Sequence, residues 1–188
     1  ESFANVRRSG LIAIKLKEGD ALQWVKPSSG KDNIVILTAH GQAIRFKESD
    51  VREMGRAAAG VRGIRLKGDD TVVGMDILDN GTVGSTEQLL VVMANGYGKR
   101  TKLSAYKIQH RGGTGIRTAK ITDKTGPIIN GFIVDAKREK EDIVIISEKG
   151  QVIRLKIKQV NVIGRDTQGV RLMKFKDKED KAAKLTFV

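Results

Sequence analysis

Short apolar runs rich in Ile, Val and Leu recur along the chain and are separated by polar segments that contain glycine. The clearest are IVIL at 34–37, LLVVM at 89–93 and IVII at 143–146. Runs of β-branched residues this short, bounded by Gly, Asn, Asp and Lys, predict β-strands. No long helical period is present, and the best helix candidate, residues 48–54, is equally consistent with a turn. The pattern therefore predicts an all-β fold.

Each of these runs is followed by a glycine turn and a second predicted strand, so the sequence predicts three β-hairpins. The turn glycines are Gly41, Gly96 and Gly150, spaced 55 and 54 residues apart. Two further predicted strands follow each hairpin before the pattern begins again. The chain therefore contains an internal repeat of four predicted strands.

A period of about 50 residues with four strands per unit predicts a propeller-like array with one blade per unit. A solenoid or a row of separate hairpins is the alternative, although isolated hairpins are only marginally stable. Residues 9–25 align with the second half of a unit, because Gly10 matches Gly60. We divide the domain into a half unit with its linker and three whole units, at residues 1–33, 34–88, 89–142 and 143–188. Because a start in mid-unit leaves an open sheet edge, we expect a fragment of a longer protein.

The composition excludes several kinds of functional site. There is no cysteine and there are two histidines, so a disulfide framework and a thiolate metal site are excluded. No apolar run is long enough to span a membrane. No nucleophile–base–acid set is present, so we expect no catalysis by this chain alone, no metal and no cofactor. The paired acids at 69–70 and 179–180 occupy matched loops, where we expect them to be solvated.

The charge balance favours a polyanionic partner. Lys and Arg number 35 against 22 Asp and Glu, so the net charge is +13 and the isoelectric point is about 10.0. Units 89–142 and 143–188 carry +6 each, whereas unit 34–88 carries −1. We therefore expect the last two units to bind the anion most strongly.

Nine of the fourteen arginines occupy three matched positions, 4, 15 and 21 residues after the turn glycine, which we name the +4, +15 and +21 columns. They are Arg45, Arg100 and Arg154 (+4), Arg56, Arg111 and Arg165 (+15), and Arg62, Arg117 and Arg171 (+21). The +4 arginines Arg45 and Arg154 lie between apolar neighbours, so strand alternation predicts that they face away from the core. Duplication followed by pairing with local carboxylates is the alternative, but apart from the paired acids of the matched loops, acids show no matched recurrence. Rows of guanidinium groups suit a sugar-phosphate backbone.

Four segments resemble the C-terminal domain of DNA gyrase A subunits. They are SGLIAIKLKEGDAL at 9–22, FKESDVREMGRAAAGVRGIRL at 46–66, NGYGKRT at 95–101 and VIGRDTQGVRL at 162–172. The resemblance covers essentially the whole chain. It implies a six-bladed β-pinwheel, a propeller-like array whose basic rim binds and wraps DNA. The half unit resembles the end of blade three, and the whole units resemble blades four, five and six.

Residues 109–115 (QHRGGTG) resemble the gyrase A box, a Gln-basic-Arg-Gly-Gly-basic-Gly heptad in the first blade of that family. Here His and Thr stand at the two basic positions, and the heptad lies in a unit that resembles blade five, so we interpret it as a degenerate copy. Gly112 and Gly113 would let the backbone approach a phosphate closely. Arg111 supplies charge, and Gln109 can donate to a phosphate oxygen.

The resemblance implies sequence-nonspecific binding and bending of double-stranded DNA. The chain would act within gyrase A, and through it with gyrase B, to support negative supercoiling by the whole type II topoisomerase in the bacterial cytoplasm, at the nucleoid. DNA cleavage and ATP hydrolysis would lie elsewhere. The alternatives are the corresponding domain of the equivalent topoisomerase IV polypeptide and a basic propeller scaffold that binds acidic proteins. The expected DNA-contacting residues are the nine column arginines with Lys102, Gln109, Gly112, Gly113 and Lys156.

Overall fold

The structure is built almost entirely from β-strands. The computed structural model describes residues 5–6, 8–79 and 86–188, and within them it contains eleven strands, short 3-10 turns and no α-helix. The strands are β1 (Asn33–Thr38), β2 (Gln42–Lys47), β3 (Val72–Leu78), β4 (Gln88–Met93), β5 (Tyr97–Lys102), β6 (Ile116–Arg117), β7 (Ile128–Val134), β8 (Asp142–Ser147), β9 (Val152–Lys156), β10 (Val170–Arg171) and β11 (Ala182–Phe187). The prediction of an all-β fold is confirmed, and the candidate helix at 48–54 is a 3-10 turn over Glu48–Asp50.

The strands form three antiparallel sheets, each built around one of the predicted hairpins. The first sheet has the order β3-β1-β2-β6, the second β10-β5-β4-β7 and the third β11-β8-β9. The last strand of each repeat unit (β3, β7 or β11) pairs with the first hairpin strand of the same unit. These three strands pack side by side, β3 against β7 and β7 against β11, and we call them the inner strands. The strands at the opposite edge, β6 and β10, are the outer strands.

The outer strands do not belong to the sequence unit whose sheet they complete. β6 lies in unit 89–142 but pairs with β2, and β10 lies in unit 143–188 but pairs with β5. The expectation that one unit forms one sheet is therefore wrong for the third strand of the repeat. The thirteen residues between β5 and β6 can span about 40 Å when extended. That exceeds the roughly 10 Å between packed sheets, so the chain can cross to the neighbouring sheet.

Two segments predicted as strands form none. Residues 61–66, the third predicted strand of the first whole unit, instead bond to residues 109–115, which we call the box-like loop. Gly112 N donates to Gly63 O at 2.6 Å, and Arg65 N donates to Gly113 O at 2.8 Å. Residues 9–25 also lack strand structure. In the repeat, both segments are equivalent to β6 and β10, which pair with the hairpin of the preceding unit. The described residues form no such preceding hairpin for either segment.

The core lies between the sheets, and it explains why the apolar runs are continuous. In β4, Leu89, Val91 and Met93 pack into the cluster shared with the first sheet. Leu90 and Val92, on the opposite face, pack into the cluster shared with the third sheet. Because both faces of β4 are buried, apolar residues occupy successive rather than alternate positions. Full burial of such a side chain stabilises the fold by about 1.5–3 kcal/mol.

Glycine is required where each outer strand begins. Gly115 and Gly169 have φ angles of 71° and 78°, which residues with a Cβ atom avoid. A Cβ atom at Gly115 would lie 2.5 Å from Ala43 O, and one at Gly169 would lie 2.6 Å from Gly98 O. These glycines therefore allow the crossing chain to approach the preceding hairpin closely enough to pair with it.

The paired acids in the matched loops divide into two kinds. Asp69 and Glu179 are exposed, as expected. Asp70 and Asp180 are buried, which corrects the expectation of solvation. Their carboxylates accept hydrogen bonds from the hairpin turns, from His40 N at 2.9 Å and Lys149 N at 3.0 Å. Within the described ranges, no group of three or more His, Cys, Asp or Glu side chains could hold a metal ion, and no helix could cross a membrane.

Candidate nucleic-acid interface

Two of the +4 arginines are buried. The expectation from strand alternation that Arg45 faces away from the core is wrong, and Arg100, predicted to contact DNA, is buried as well. Arg45 is 7% exposed and Arg100 is 4% exposed. Arg100 Nε donates to Val160 O at 2.8 Å, Nη2 donates to Lys158 O at 3.2 Å, and Nη1 pairs with Glu139 at 2.8 Å. Both faces of these hairpins are covered, by a neighbouring sheet or, on one face of the first hairpin, by non-strand residues such as Ile64 of the same unit, so strand alternation does not separate core from solvent.

Arg45 occupies the matching place in the first sheet with fewer partners. Its Nη1 atom donates to Leu103 O at 3.4 Å, while Nε is buried without a partner among the described residues. Burial lowers the pKa of the Arg45 guanidinium, and the Glu87 carboxylate acts in the opposite direction. Arg45 and Arg100 therefore tie a hairpin to the chain of the following unit, and we leave both out of the contact surface.

The third +4 arginine is different because β9 alternates between exposed and half-buried positions. The side chain of Arg154 is 63% exposed, and its Nε atom pairs with Asp142 at 2.7 Å. Lys156, which is also exposed, lies 3.5 Å from the same carboxylate. The hydrogen bond from Arg154 lowers the pKa of Asp142. Both predicted site residues are thus on the surface, with their charge partly offset.

The +15 arginines brace one repeat unit against the preceding one. Arg111 Nη1 donates to Arg62 O at 3.2 Å, and Arg165 Nη1 donates to Arg117 O at 2.9 Å. Both acceptors are +21 residues of the preceding unit. Arg56 repeats the contact with Ile12 O at 3.4 Å, where the half unit has isoleucine in the +21 place. All three arginines are half-buried, and their hydrogen bonds hold the backbone at the +21 positions.

The +21 arginines are the exposed column. Arg117 lies on the outer strand β6 and Arg171 on the outer strand β10, while Arg62 precedes the residues that bond to the box-like loop. Arg117 pairs with Asp166 at 3.1 Å, and both side chains are more than half exposed. Arg171 Nη2 donates to the hydroxyl of Tyr97 at 2.9 Å. This column presents guanidinium groups on successive outer edges of the array.

The box-like loop lies against the first sheet. Gln109 N donates to Arg45 O at 2.8 Å, and its side-chain amide nitrogen is buried without a described partner. The amide of Gly112 and the carbonyl of Gly113 bond to residues 63–65, so those two groups are engaged within the protein. Lys102, at the end of β5, is exposed. Of the loop residues, Arg111 keeps a half-exposed cationic group.

Lys99 is a buried residue that holds a loop of the candidate interface, and it gave no signal in the sequence. It is fully buried in β5, and its Nζ atom donates to Gly164 O at 2.7 Å, to Thr167 Oγ1 at 3.0 Å and to Arg165 O. Burial lowers its pKa to about 8, with Asp166 opposing the shift. The ammonium group therefore holds the loop at 164–167, which carries the +15 arginine and the acid that pairs with Arg117.

We expect Lys99→Met to lower the free energy of unfolding at pH 7 by about 1–3 kcal/mol, because buried acceptors lose their donor. The pKa of about 8 in the folded chain lies below the ordinary 10.5. The unfolded state therefore binds more protons between these values, and the Lys99 contribution to stability rises with pH across that window. Urea unfolding at pH 7, 8, 9 and 10 measures this. The advantage of the wild type over Lys99→Met should grow above pH 8; a constant difference would contradict the assignment.

Comparison with known sequences gives a consistent result. The model of the family described as "DNA gyrase C-terminal domain, beta-propeller" matches residues 1–29, 32–79, 87–135 and 141–186. The DNA gyrase A protein of Staphylococcus epidermidis (strain ATCC 12228) is 44% identical over 176 residues, 94% of this chain and 19% of the relative. The DNA gyrase A protein of Ureaplasma parvum serovar 3 is 42% identical over 178 residues, 95% of this chain and 20% of the relative. The chain spans about a fifth of the length of these relatives.

Two solved structures have the same fold. The crystal structure of the C-terminal domain of DNA topoisomerase IV superposes with a TM-score of 0.88 at 22% identity, covering 100% of this chain and 56% of the other. The structure of a DNA gyrase A C-terminal domain gives 0.81 at 28% identity, covering 96% and 58%. The first likeness shows the fold alone. Together with the family match, these structures confirm the prediction of a propeller-like β-pinwheel.

Proposed function

The chain belongs to the family of DNA gyrase C-terminal domains, and we propose that it binds duplex DNA without sequence preference and bends it around the outer edges of its sheets. The observation that carries this proposal is the exposed +21 column. Arg117 and Arg171 stand on the outer strands, and the +15 arginines brace the backbone behind them. Phosphates are the matching ligands, since guanidinium groups bind them through charge and paired N–H donors.

The energetics of bending require many such contacts. Bending a duplex of 20–30 bp by 40–90° costs about 1–6 kcal/mol. Exposed ion pairs of under about 1 kcal/mol each would offset little of this. Contacts to phosphates release condensed counterions, and each adds about 0.9 to the salt dependence of binding. Repeated outer edges can supply them, with Lys102, Lys156 and Arg154 as further exposed cations.

The relatives support a role for the chain within a longer protein. We propose that the chain is a non-catalytic part of a gyrase A protein in the bacterial cytoplasm, at the nucleoid, which acts with gyrase B in negative supercoiling. Gyrase A proteins are 41–44% identical over 94% of the chain or more. The topoisomerase IV neighbour, at 22% identity, supports the fold only. The gyrase role is therefore preferred to the topoisomerase IV alternative.

The contribution of each unit should follow its charge. Units 89–142 and 143–188 carry +6 each and unit 34–88 carries −1, so we propose that the second and third sheets contribute most to DNA affinity. The nearby acids Glu48, Asp50 and Glu53 reduce the field of unit 34–88. A scaffold for acidic proteins remains the competing function, and salt titration with DNA separates the two.

We expect duplexes of equal length and unrelated sequence to bind with nearly equal affinity, because phosphate contacts carry no base information. The log–log dependence of affinity on salt should have a slope steeper than about −2. Fluorescence anisotropy over a salt series measures both, with an acidic protein as competitor. A preference above about a hundredfold between duplexes would contradict phosphate contact, since a base mismatch at a specific site costs about 1–3 kcal/mol. Displacement by the acidic protein at equal concentration would favour the scaffold function.

A further inference from the structure

A basic cleft lies at the turn of the β4–β5 hairpin, beside the segment that connects β10 to β11. Its volume is about 400 Å³. One wall is formed by Tyr97 and Arg171, which are cross-strand partners in the second sheet. Three lysines complete the basic lining: Lys124, Lys174 and Lys178. The cleft opens beside the outer strand that carries the +21 arginine.

Tyr97 fixes two of these cations. The ring is 7% exposed, so the β-sheet holds it in one place. Lys124 Nζ and Arg171 Cζ each lie 5.4 Å from its centroid, within the range of cation–π attraction. The Tyr97 hydroxyl also accepts a hydrogen bond from Arg171 Nη2 at 2.9 Å. The tyrosine therefore orders a pair of cations before any ligand arrives, which reduces the entropy lost on binding.

The cations of the cleft are not neutralised by the acids beside them. Asp177 pairs with Lys149, which points to it from the β8–β9 turn. Asp180 accepts hydrogen bonds from Ser147 Oγ at 2.6 Å and Lys149 N at 3.0 Å. In the part of the chain that the structure describes, none of the four cations forms an ion pair with a carboxylate. Their charge is thus available to an anion.

The matched place in the first sheet is built differently. There the cross-strand partners are Gln42 and Arg117, so the aromatic ring is missing. Arg117 is paired with Asp166 at 3.1 Å. The two arginines at this repeat position therefore differ. Arg171 is held by the Tyr97 ring among lysines, whereas Arg117 is paired with Asp166.

We propose that Tyr97, Arg171 and the three lysines form a seat for a phosphodiester group of duplex DNA, with Tyr97 as a positioning residue. This inference rests on the proposed function and deepens it by naming one contact point on the DNA path. The seat places a phosphate against the Arg171 guanidinium, and the lysines bind the neighbouring phosphates along the strand.

The test compares three variants of the chain for affinity to one duplex at 0.1 M salt. Arg171→Gln removes one full phosphate contact and weakens binding about eightfold. Arg117→Gln, the matched change, weakens it about threefold or less, because a phosphate must first displace Asp166. Tyr97→Phe keeps the ring and all charges and removes only the hydroxyl; it weakens binding about two- to tenfold with an unchanged salt slope. Thermal unfolding of each variant verifies folding.

Equal losses for Arg171→Gln and Arg117→Gln, or wild-type affinity in folded Tyr97→Phe, overturn the seat while leaving DNA binding by the chain intact. Failure of the wild-type chain to bind duplex DNA overturns the proposed function itself. A separate arm titrates inorganic phosphate while the Arg171 Nε–Hε signal is followed by NMR. The signal could shift with millimolar inorganic phosphate and fail to respond to duplex DNA. That result would identify the ligand as a free anion and would overturn the assignment to DNA.

Discussion

Replacing Arg62, Arg117 and Arg171 together by glutamine is expected to weaken binding to a duplex of about 40 bp at 0.1 M salt by between about 60- and 500-fold. The lower figure corresponds to two lost phosphate contacts and the upper to three. Arg117 accounts for the difference, because its partner Asp166 lies 3.1 Å away and competes with a phosphate. All three side chains are exposed, so their removal should change the free energy of unfolding by no more than about 0.5 kcal/mol for each site.

The control for this triple variant removes the same formal charge from another part of the surface. Lys137 and Lys140 follow the inner strand β7, and Lys184 lies on the inner strand β11; none of the three belongs to the +21 column. Anisotropy with the same duplex should show a loss of less than about tenfold for Lys137, Lys140 and Lys184 changed to glutamine. Similar losses in the two triple variants would mean that net charge, rather than the +21 column, governs binding.

Replacing Arg100 by leucine is expected to lower the free energy of unfolding by about 2–5 kcal/mol. The guanidinium is 4% exposed and donates to two backbone carbonyls, of Val160 and Lys158, in addition to its pairing with Glu139. Leucine fills part of the space but removes the donor from both carbonyls, and the bond to Val160 O is a buried one. The effect arises at the junction of the second sheet with the chain of the following unit.

The matched control is Arg154→Leu, because Arg154 occupies the same repeat position but is 63% exposed. Arg154→Leu should lower the free energy of unfolding by less than about 1 kcal/mol. Urea unfolding of the two variants gives the comparison, and DNA affinity is measured below the unfolding transition. Equal costs would refute the structural role of Arg100. A loss of DNA affinity in a stable Arg100→Leu variant would refute its exclusion from the contact surface.

The hairpins and inner strands could be predicted from the sequence because their signals are local. An apolar run, a turn at Gly41, Gly96 or Gly150, and the segment after the turn specify strand, turn and strand within about a dozen residues. The repeat period then extended the prediction along the chain. The resemblance to the family rests on longer sequence segments and is confirmed by the match of the family model over most of the chain.

The crossing of the third strand could not be predicted in the same way. β6 and β10 contain two residues each, and their pairing partners lie in the preceding unit. A repeat shows which segments are equivalent, but it does not show whether equivalent segments pair within a unit or between units. The positive φ of Gly115 and Gly169, which permits the crossing, is also invisible in a glycine-rich sequence.

The +4 column shows the limit of strand alternation. Alternation places Arg45 opposite its apolar neighbours, and this would mean exposure to solvent if each sheet had one buried face. Here both faces of the first two hairpins are covered, so Arg45 and Arg100 are buried between units. The recurrence of arginine indicated importance but not role, since buried arginines and exposed arginines repeat with the same period. Lys99 gave no signal, because a lysine beside an arginine in a basic chain is indistinguishable from a surface pair. The assignment of the units to blades three to six and the DNA contacts stay predictions.

The salt dependence of duplex binding by the wild-type chain and the two triple variants tests the central claim most directly. The claim is that the exposed +21 arginines hold DNA through its phosphates. The account predicts that the slope of the log–log plot becomes shallower by about 1.8–2.7 when Arg62, Arg117 and Arg171 are changed to glutamine. It predicts a change of less than about 1 when Lys137, Lys140 and Lys184 are changed instead. An unchanged slope in the folded arginine variant would contradict the account.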